Sequence, residues 1–262
     1  AGEHNFLTSP ETTNLVVRIT DGFALFSSLG VEGGGGFDYE LLSVDAHATD
    51  FTRVDDVLCL GTFGIFRSDD NVEVGGQVWA SELALLQAGL DGSGGVRFDS
   101  STRGIAATTI ELIGGDPGTP DGLGYVDART NSPLFTGPTR GTSQPRDMAI
   151  RSDVTMLDAS LPEQAQFPGS TDGINYLVES FHGDVHIDTG SKFDGSVLTL
   201  ASASSSSPTS MARTYIDDAL DLESLLVRGR SRIADDVVAR FTQEYDGPVL
   251  ITLAPTLTAQ EI

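Results

Sequence analysis

The chain has 262 residues, of which 38 are acidic and 15 are basic, so its formal net charge at neutral pH is −23. A length of this kind fits one large domain or two smaller ones, and 39% hydrophobic residues can supply a core. No apolar run approaches the roughly 20 residues of a transmembrane helix, so we expect no membrane insertion. The charge disfavours a nucleic-acid partner held by simple electrostatic attraction.

The types of charged residue indicate the salt environment in which the protein works. Lys192 is the single lysine, and every other basic residue is an arginine. Self-repulsion in such a chain weakens the compact state at low salt, whereas at 1 M salt the screening length falls to about 3 Å. The composition therefore predicts a halophilic protein surrounded by salt ions. An acidic protein from a GC-rich genome is the alternative.

The first part of the chain contains a series of strand patterns. Asp21-Gly22 suits a tight turn and predicts a hairpin between its flanking apolar segments. A short helix is predicted over Glu82–Ala88, with Ser81 as its cap and Gly89 at its end. The strands predicted before that helix are Leu15–Thr20, Phe23–Ser27, Phe37–Val44, Val54–Leu60, Thr62–Arg67 and Val72–Trp79.

The segment from 114 to 145 differs from its surroundings because it is dense in Gly, Pro, Thr and Asp and has little periodicity. A loop of this length is usually a connector or an interaction arm. We therefore divide the chain into a β-rich half over 1–113, a connector or arm over 114–145, and a β-rich half over 146–262. The two halves could also pack as a single domain. Leu134 and Phe135 in the arm are predicted contacts with a neighbouring subunit.

The second half ends with the clearest helical pattern in the chain. Tyr215–Arg228 places apolar residues on one face and acidic residues in its first turns, which suits a capped surface helix. Gly173–Phe181 fits either a helix or a strand. The predicted strands are Met148–Leu157, Asp184–Asp188 and Ser196–Ala201, followed by a terminal pair over Asp236–Leu253.

A helix followed by a strand pair occurs twice, first as Ser81–Ala88 with Gly95–Leu112 and later as Tyr215–Arg228 with Asp236–Leu253. Strands outnumber helices throughout, and turn signals recur about every ten residues. The predicted fold class is mainly β: a β-sandwich or jelly-roll-like fold, or two β-rich repeats, with one or two short helices.

Few residues suggest chemistry. His182, His186 and Asp188 in FHGDVHIDTG form a candidate Zn or Mn site, although solvent-exposed strand residues explain them more simply. There is no serine-nucleophile, phosphate-loop or dinucleotide motif. We therefore predict no cofactor and assign no catalytic residue, while an enzyme remains an open alternative. Cys59 lies in an apolar run and is predicted to be a core residue.

The recurring helix and hairpin resembles the repeat of sliding clamps, the rings that hold DNA polymerases on DNA. The matching stretches are FDYELLSVDA, Val74–Ala88, Tyr215–Val227 and the terminal GPVLITLAP. The resemblance implies a DNA replication processivity factor in which Arg228, Arg230 and Arg232 contact DNA.

A structural subunit is the function that the composition favours. Thr, Ser, Gly and Asp dominate, hairpin signals abound, and no catalytic motif is present. We expect a self-assembling protein of a halophilic system, in particular a virion coat component such as a capsid, tail or decoration protein. The expected location is an assembled particle, with the cytoplasm of a salt-accumulating halophile as the alternative. The expected partners are copies of itself and other subunits, contacted through Ala1–Pro10, the arm and the C-terminal tail, including Pro255, Leu257 and Ile262.

Overall fold

The structure is a computed structural model of the whole chain, and it is 59% strand and 2% helix. The residues that it describes are 14–26, 31–33, 36–38, 41–55, 57–99, 104–119, 122–127, 134–138, 145–153, 173–187, 193, 195–207 and 209–260.

Successive strands stack in parallel, as the coils of a solenoid. β1 (Asn14–Ile19) does not pair with the strand that follows it; it pairs in parallel with β5 (Leu41–Ala48), which pairs in parallel with β7 (Val57–Ser68). Phe63 in β7 is in turn level with Leu83 on the next coil, so a compact coil takes about 20 residues. The chain thus winds in a repeating path, and each coil adds a strand to the same sheets.

The first sheet runs through all the coils and holds the first strand of each. After β7 it continues in the order β10, β13, β16, β17, β19, β22 and β25. The bounds of these strands are Leu83–Ala88, Thr109–Gly114, Asp147–Ser152, Asn175–Ser180, Val197–Ala201, Ser224–Arg228 and Gln243–Asp246.

The second strands that the structure describes lie in two parallel sheets. The earlier sheet contains β2 (Ala24–Phe26), β6 (Phe51–Val54), β8 (Asn71–Val74), β11 (Gly95–Phe98) and β14 (Tyr125–Asp127). The later sheet contains β18 (Val185–Ile187), β20 (Thr214–Ile216), β23 (Ser231–Ile233) and β26 (Val249–Ile251).

Third strands complete the coils. The first residues of β7 pair with β9 (Gln77–Ala80), which continues to β12 (Gly104–Ala106) and β15 (Leu134–Thr136). In the later coils the third strands are β21 (Leu220–Leu222), β24 (Val237–Ala239) and β27 (Leu257–Thr258). A small antiparallel pair, β3 (Val31–Gly33) and β4 (Gly36–Asp38), and a 3-10 turn at Ala203–Ser205 lie outside these sheets.

The core fills the interior of the solenoid because side chains alternate between inside and outside along each strand. In β10, Ala84, Leu86 and Ala88 are buried while the residues between them face outwards. Parallel pairing repeats this alternation from coil to coil, so residues of like character form inward columns. A solenoid of this kind stabilises each coil mainly through its two neighbours.

The predicted β-sandwich or jelly-roll-like fold is wrong, and so is the pair of helix-containing repeats. The chain is strand-rich, but its sheets are mostly parallel. Alternating strands separated by turn residues look alike in sequence whether the next strand pairs back on its neighbour or moves on to another sheet. Asp21-Gly22, for example, makes a turn between β1 and β2, which lie in different sheets.

Both predicted helices are strands. Glu82–Ala88 becomes β10, and Tyr215–Arg228 contains most of β20 and all of β21 and β22. Short apolar runs fit helical and extended spacing equally well, and here the neighbouring coils offer pairing partners. The duplicated unit is therefore the recurrence of solenoid coils.

The strands on either side of the segment 114–145 are direct neighbours. β13 ends at Gly114 and pairs in parallel with β16, which begins at Asp147. The first sheet thus continues without a break from the residues before that segment to those after it.

Candidate functional site

The exposed large apolar side chains gather at the two ends of the solenoid. Within the described residues, Leu123, Met211 and Val238 are the three that lie on coils between the ends. Single exposed apolar residues are normal on a protein surface, whereas a group of them marks a candidate interaction surface. The members at the ends are Val16, Phe23, Leu25, Phe241, Val249, Leu250, Ile251 and Leu253.

One inward column shows why the C-terminal end is exposed. The pairings of the later second sheet align Ile187, Ile216, Ile233 and Ile251. The first three side chains are 0% exposed, but Ile251 is 52% exposed. Ile251 occupies a core position that no further described coil covers.

The backbone of the last described coil is also open on one side. Within the part of the chain that the structure describes, β25, β26 and β27 each pair with the preceding coil and have no strand on the other side. An open strand edge presents unpaired N–H and C=O groups and is a ready template for another strand. The last coil therefore combines open edges with exposed core residues.

Part of this end is closed by polar side chains. Gln243 takes the inward position that Leu225 holds one coil earlier, and its Nε2 donates hydrogen bonds to the carbonyl oxygens of Val237 and Thr258, both at 2.8 Å. Tyr245 donates a 3.1 Å hydrogen bond to Gln243, and burial raises the pKa of Tyr245 to about 12. The interior beneath β25 is thus partly polar, while β26 stays apolar.

The first described coil presents a second exposed surface. Phe23 stacks on Phe51 of the next coil, with ring centroids 4.7 Å apart, and is still half exposed. Leu25 points outwards from β2 between the buried residues Ala24 and Phe26. Arg18 in β1 forms an ion pair with Asp45, with 2.7 Å between Nη2 and Oδ2.

The residues predicted to make assembly contacts lie in different parts of the fold. Phe135 is fully buried and packs edge-to-face on Phe98, so its side chain belongs to the core of this chain. Leu134 is in β15, and Leu257 in β27 packs partly against the core. Pro255 lies in the partly exposed turn before β27, in the last coil. Ile262 and Ala1–Pro10 lie outside the described residues.

The predicted metal ligands lie on different elements. His182 is in the turn after β17, whereas His186 points outwards from β18 and its ring stacks on Tyr215 at 4.6 Å between centroids. Asp188 lies outside the described residues. In the described part of the chain, no group of three or more His, Cys, Asp or Glu side chains is placed to hold a metal ion.

Asp153 is the most unusual titratable residue that the sequence did not point out. Its side chain is 0% exposed, Oδ2 accepts a 3.2 Å hydrogen bond from the Gly124 N–H, and Oδ1 has no hydrogen-bond partner. Burial raises the pKa of this carboxyl, and the Gly124 hydrogen bond offsets the rise only in part. Nε2 of His182 lies 3.7 Å from Oδ1. The hydrogen bond from the Gly124 N–H to Asp153 joins turns of two neighbouring coils.

The three arginines predicted to contact DNA occupy different positions. Arg228 faces outwards at the end of β22, and Arg230 is in the turn that follows. Arg232 lies on β23 in the later second sheet, where it forms a 2.6 Å ion pair with Asp217 and covers the ring of Tyr215. They do not share one face of one element.

Ion pairs connect neighbouring coils on the outer surface. Arg53 in β6 contacts Asp55, Glu73 and Asp99 at 2.8, 3.0 and 2.6 Å. Although burial alone lowers the pKa of Arg53, the hydrogen bonds to these carboxylates raise it above its ordinary value. Basic residues are few in this chain, and the guanidinium of Arg53 is shared by three carboxylates from successive coils.

Sequence reasoning missed the residues that make up the solenoid ends. Val249, Leu250 and Ile251 form a continuous apolar run, and nothing in that run distinguishes the strand of an end coil from an internal one. Their exposure follows only from the stacking order. If the recurrence of the coils had been known, Val249 and Ile251 could have been placed at the end of the inward columns.

Comparisons with protein-family models, curated proteins and solved structures found no match for this chain. None of the described helical segments is long and apolar enough to cross a membrane. The geometry of the solenoid is therefore the basis for assigning a function.

Proposed function

We propose that the chain is a structural, self-assembling β-solenoid subunit of a halophilic system. The observation that supports this most is the exposure of Ile251 at a position that is fully buried in the three coils before it. A solenoid coil buries its apolar face by stacking on neighbours, and terminal coils need a cover to remain soluble. Assembly supplies that cover at the end of the solenoid.

The charge supports assembly at high salt. At −23 per subunit, molecules repel one another in dilute buffer. Molar salt screens this repulsion, while the burial of apolar surface stays favourable. Assembly and a halophilic setting therefore belong together in this proposal.

The particle that we propose is a virion or a comparable coat, in which the solenoid forms a rod-like element. This step rests on the composition and on the lack of a catalytic motif. The rod shape of stacked coils suits a fibre, tail or decoration protein as readily as a capsid wall.

A sliding clamp is the second candidate, and it has less support. The resemblance rested on a helix followed by a hairpin, and the matching residues form parallel strands. Arg232 is also engaged with Asp217 and Tyr215. A closed ring of three subunits that retains circular DNA would favour the clamp over the coat.

The test compares two substitutions that add the same charge at different places. Ile251→Glu alters the open end, whereas Met211→Glu alters an apolar side chain that is 68% exposed on the side of the solenoid. In molar KCl, sedimentation of the wild type and Met211→Glu should show assembly, and Ile251→Glu should sediment as the 27.6 kDa subunit. Equal assembly of both variants would contradict a role for the open end.

A further inference from the structure

We propose that the last described coil of one molecule stacks on the first described coil of a second molecule, with β25 beside β1 and β26 beside β2. This inference rests on the proposed self-assembly and specifies its contact. Both ends belong to the same solenoid, so one molecule stacked on another continues the sheets in the same direction.

The strand edges fit this arrangement. β1 pairs with β5 and β2 with β6, and among the described residues neither β1 nor β2 has a strand on its other side. β25 and β26 have their open edges at the opposite end. All four pairings inside the molecule are parallel, and stacking another copy in the same orientation gives two more parallel pairs.

Charges in the first sheet favour one register. The strand register places Asp246 of the last described coil beside Arg228 of the coil before it, and the successive pairings of the first sheet trace the same outward position back to Arg18 in β1. Stacking in that register places Asp246 between Arg228 of its own chain and Arg18 of the second molecule. Arg18 is 47% exposed and has N–H groups beyond those bonded to Asp45. Opposite charges thus meet in a chain that is otherwise strongly acidic.

Apolar side chains lie on the outer faces of the two strands, β26 and β2, that the proposed contact brings together. Leu250 faces outwards from β26 and is 47% exposed, and Leu25 faces outwards from β2 and is 53% exposed. Stacking brings these two side chains together. It also covers Val249 and Ile251 with the inward residues Ala24 and Phe26.

The contact joins two different surfaces, so it is heterologous and does not close on itself by a two-fold axis. Repeating it along one axis gives an open filament. A linear chain of solenoids is the assembly that this geometry specifies.

Site-specific cross-linking tests the register. A chain carrying both Leu25→Cys and Leu250→Cys is treated in molar KCl with a short bis-maleimide and run on a denaturing gel. The control chain carries Leu25→Cys and Met211→Cys, and Cys59 stays in both because it is buried. We expect a ladder of cross-linked multimers from the first chain, loss of that ladder in low salt, and no ladder from the control.

The other outcomes separate this inference from the proposal on which it rests. Light scattering that shows assembly of the wild type, together with no ladder from the Leu25/Leu250 pair, would overturn the register and leave self-assembly standing. Equal ladders from both pairs would overturn it as well, since random encounters would explain them. A wild type that stays a single subunit in molar KCl would overturn both.

Discussion

Two aspartates at opposite ends of β16 have pKa values that are shifted in opposite directions. The pKa of Asp153 is raised by burial above its ordinary value of 3.8. Burial also acts to raise the pKa of Asp147, but hydrogen bonds from Asn175 and Arg146, both at 2.7 Å, outweigh it and lower the pKa. The two residues therefore have opposite linkage to stability.

Asp153→Asn should stabilise the protein at neutral pH. Because its folded pKa is raised, the ionised carboxylate costs stability once the pH rises above the folded pKa, and this cost is absent below pH 3.8. Asn can still accept the Gly124 hydrogen bond and carries no charge, but its Nδ2 takes the place of the unpaired oxygen, so we expect a gain of no more than about 1 kcal/mol. Urea unfolding from pH 3.5 to 7.5 in molar KCl measures it.

Asp147→Asn is the matched comparison, and its sign is reversed. The lowered pKa of Asp147 means that its stabilisation is present above pH 3.8 and is lost as the pH falls through the folded pKa. We expect this variant to lose roughly 1 kcal/mol at neutral pH and to approach the wild type in acid. A loss of stability in Asp153→Asn at pH 7 would show that the charged form of Asp153 is needed, for instance by His182.

At the scale of the elements, cation sharing between coils is a source of stability that can be tested. Arg53 connects Asp55 after β6, Glu73 in β8 and Asp99 after β11. Arg53→Ala leaves these carboxylates close together without their cation, and we expect a loss of roughly 1–3 kcal/mol, below the cost of breaking a fully buried pair. Arg53→Lys keeps one charge but not the fork of hydrogen bonds, so it should lose less.

Denaturant unfolding at low and at molar salt measures both Arg53 variants. Salt should reduce the penalty of Arg53→Ala, because it screens the remaining acids. If Arg53→Ala is as stable as the wild type in low salt, the three ion pairs do not contribute to the free energy of unfolding.

The strands show how much of the secondary structure the sequence patterns could predict. Alternation placed strands correctly at β1, β2 and β16, whereas the pattern of Gly173–Phe181, which contains β17, fits either a helix or a strand. The same alternation cannot tell which strand a given strand pairs with, because both hairpins and coils use polar turns with glycine. Gly89 shows the limit: it was predicted to end a helix, and it ends strand β10 with φ of +72° instead. Its conformation was foreseeable, but the element before it was not.

Site prediction was limited for a related physical reason. Ile233 and Ile251 are both inward apolar residues in short extended segments, yet one is fully buried and the other is half exposed. Position along the stack decides the difference, and position follows from the pairing of whole coils. His182 was noted from its neighbours in sequence, whereas its contact with Asp153 joins two turns of adjacent coils.

At the scale of the whole molecule, charge and shape act against each other. The solenoid exposes apolar residues at both ends, which favours stacking, while a net charge of −23 opposes the approach of a second copy. Salt concentration sets the balance, since screening lengths fall from roughly 10 Å at 0.1 M to about 3 Å at 1 M. We therefore expect the degree of assembly to depend on the salt concentration.

The most direct measurement is the light-scattering mass of the purified protein in about 3 M and in about 0.05 M KCl, a range that spans strong and weak screening. At high salt we expect a mass that grows with protein concentration well beyond the 27.6 kDa subunit, and at low salt we expect dissociation or unfolding. A subunit-sized mass at every concentration in both salts would contradict self-assembly. A mass fixed at three subunits would instead favour a closed ring.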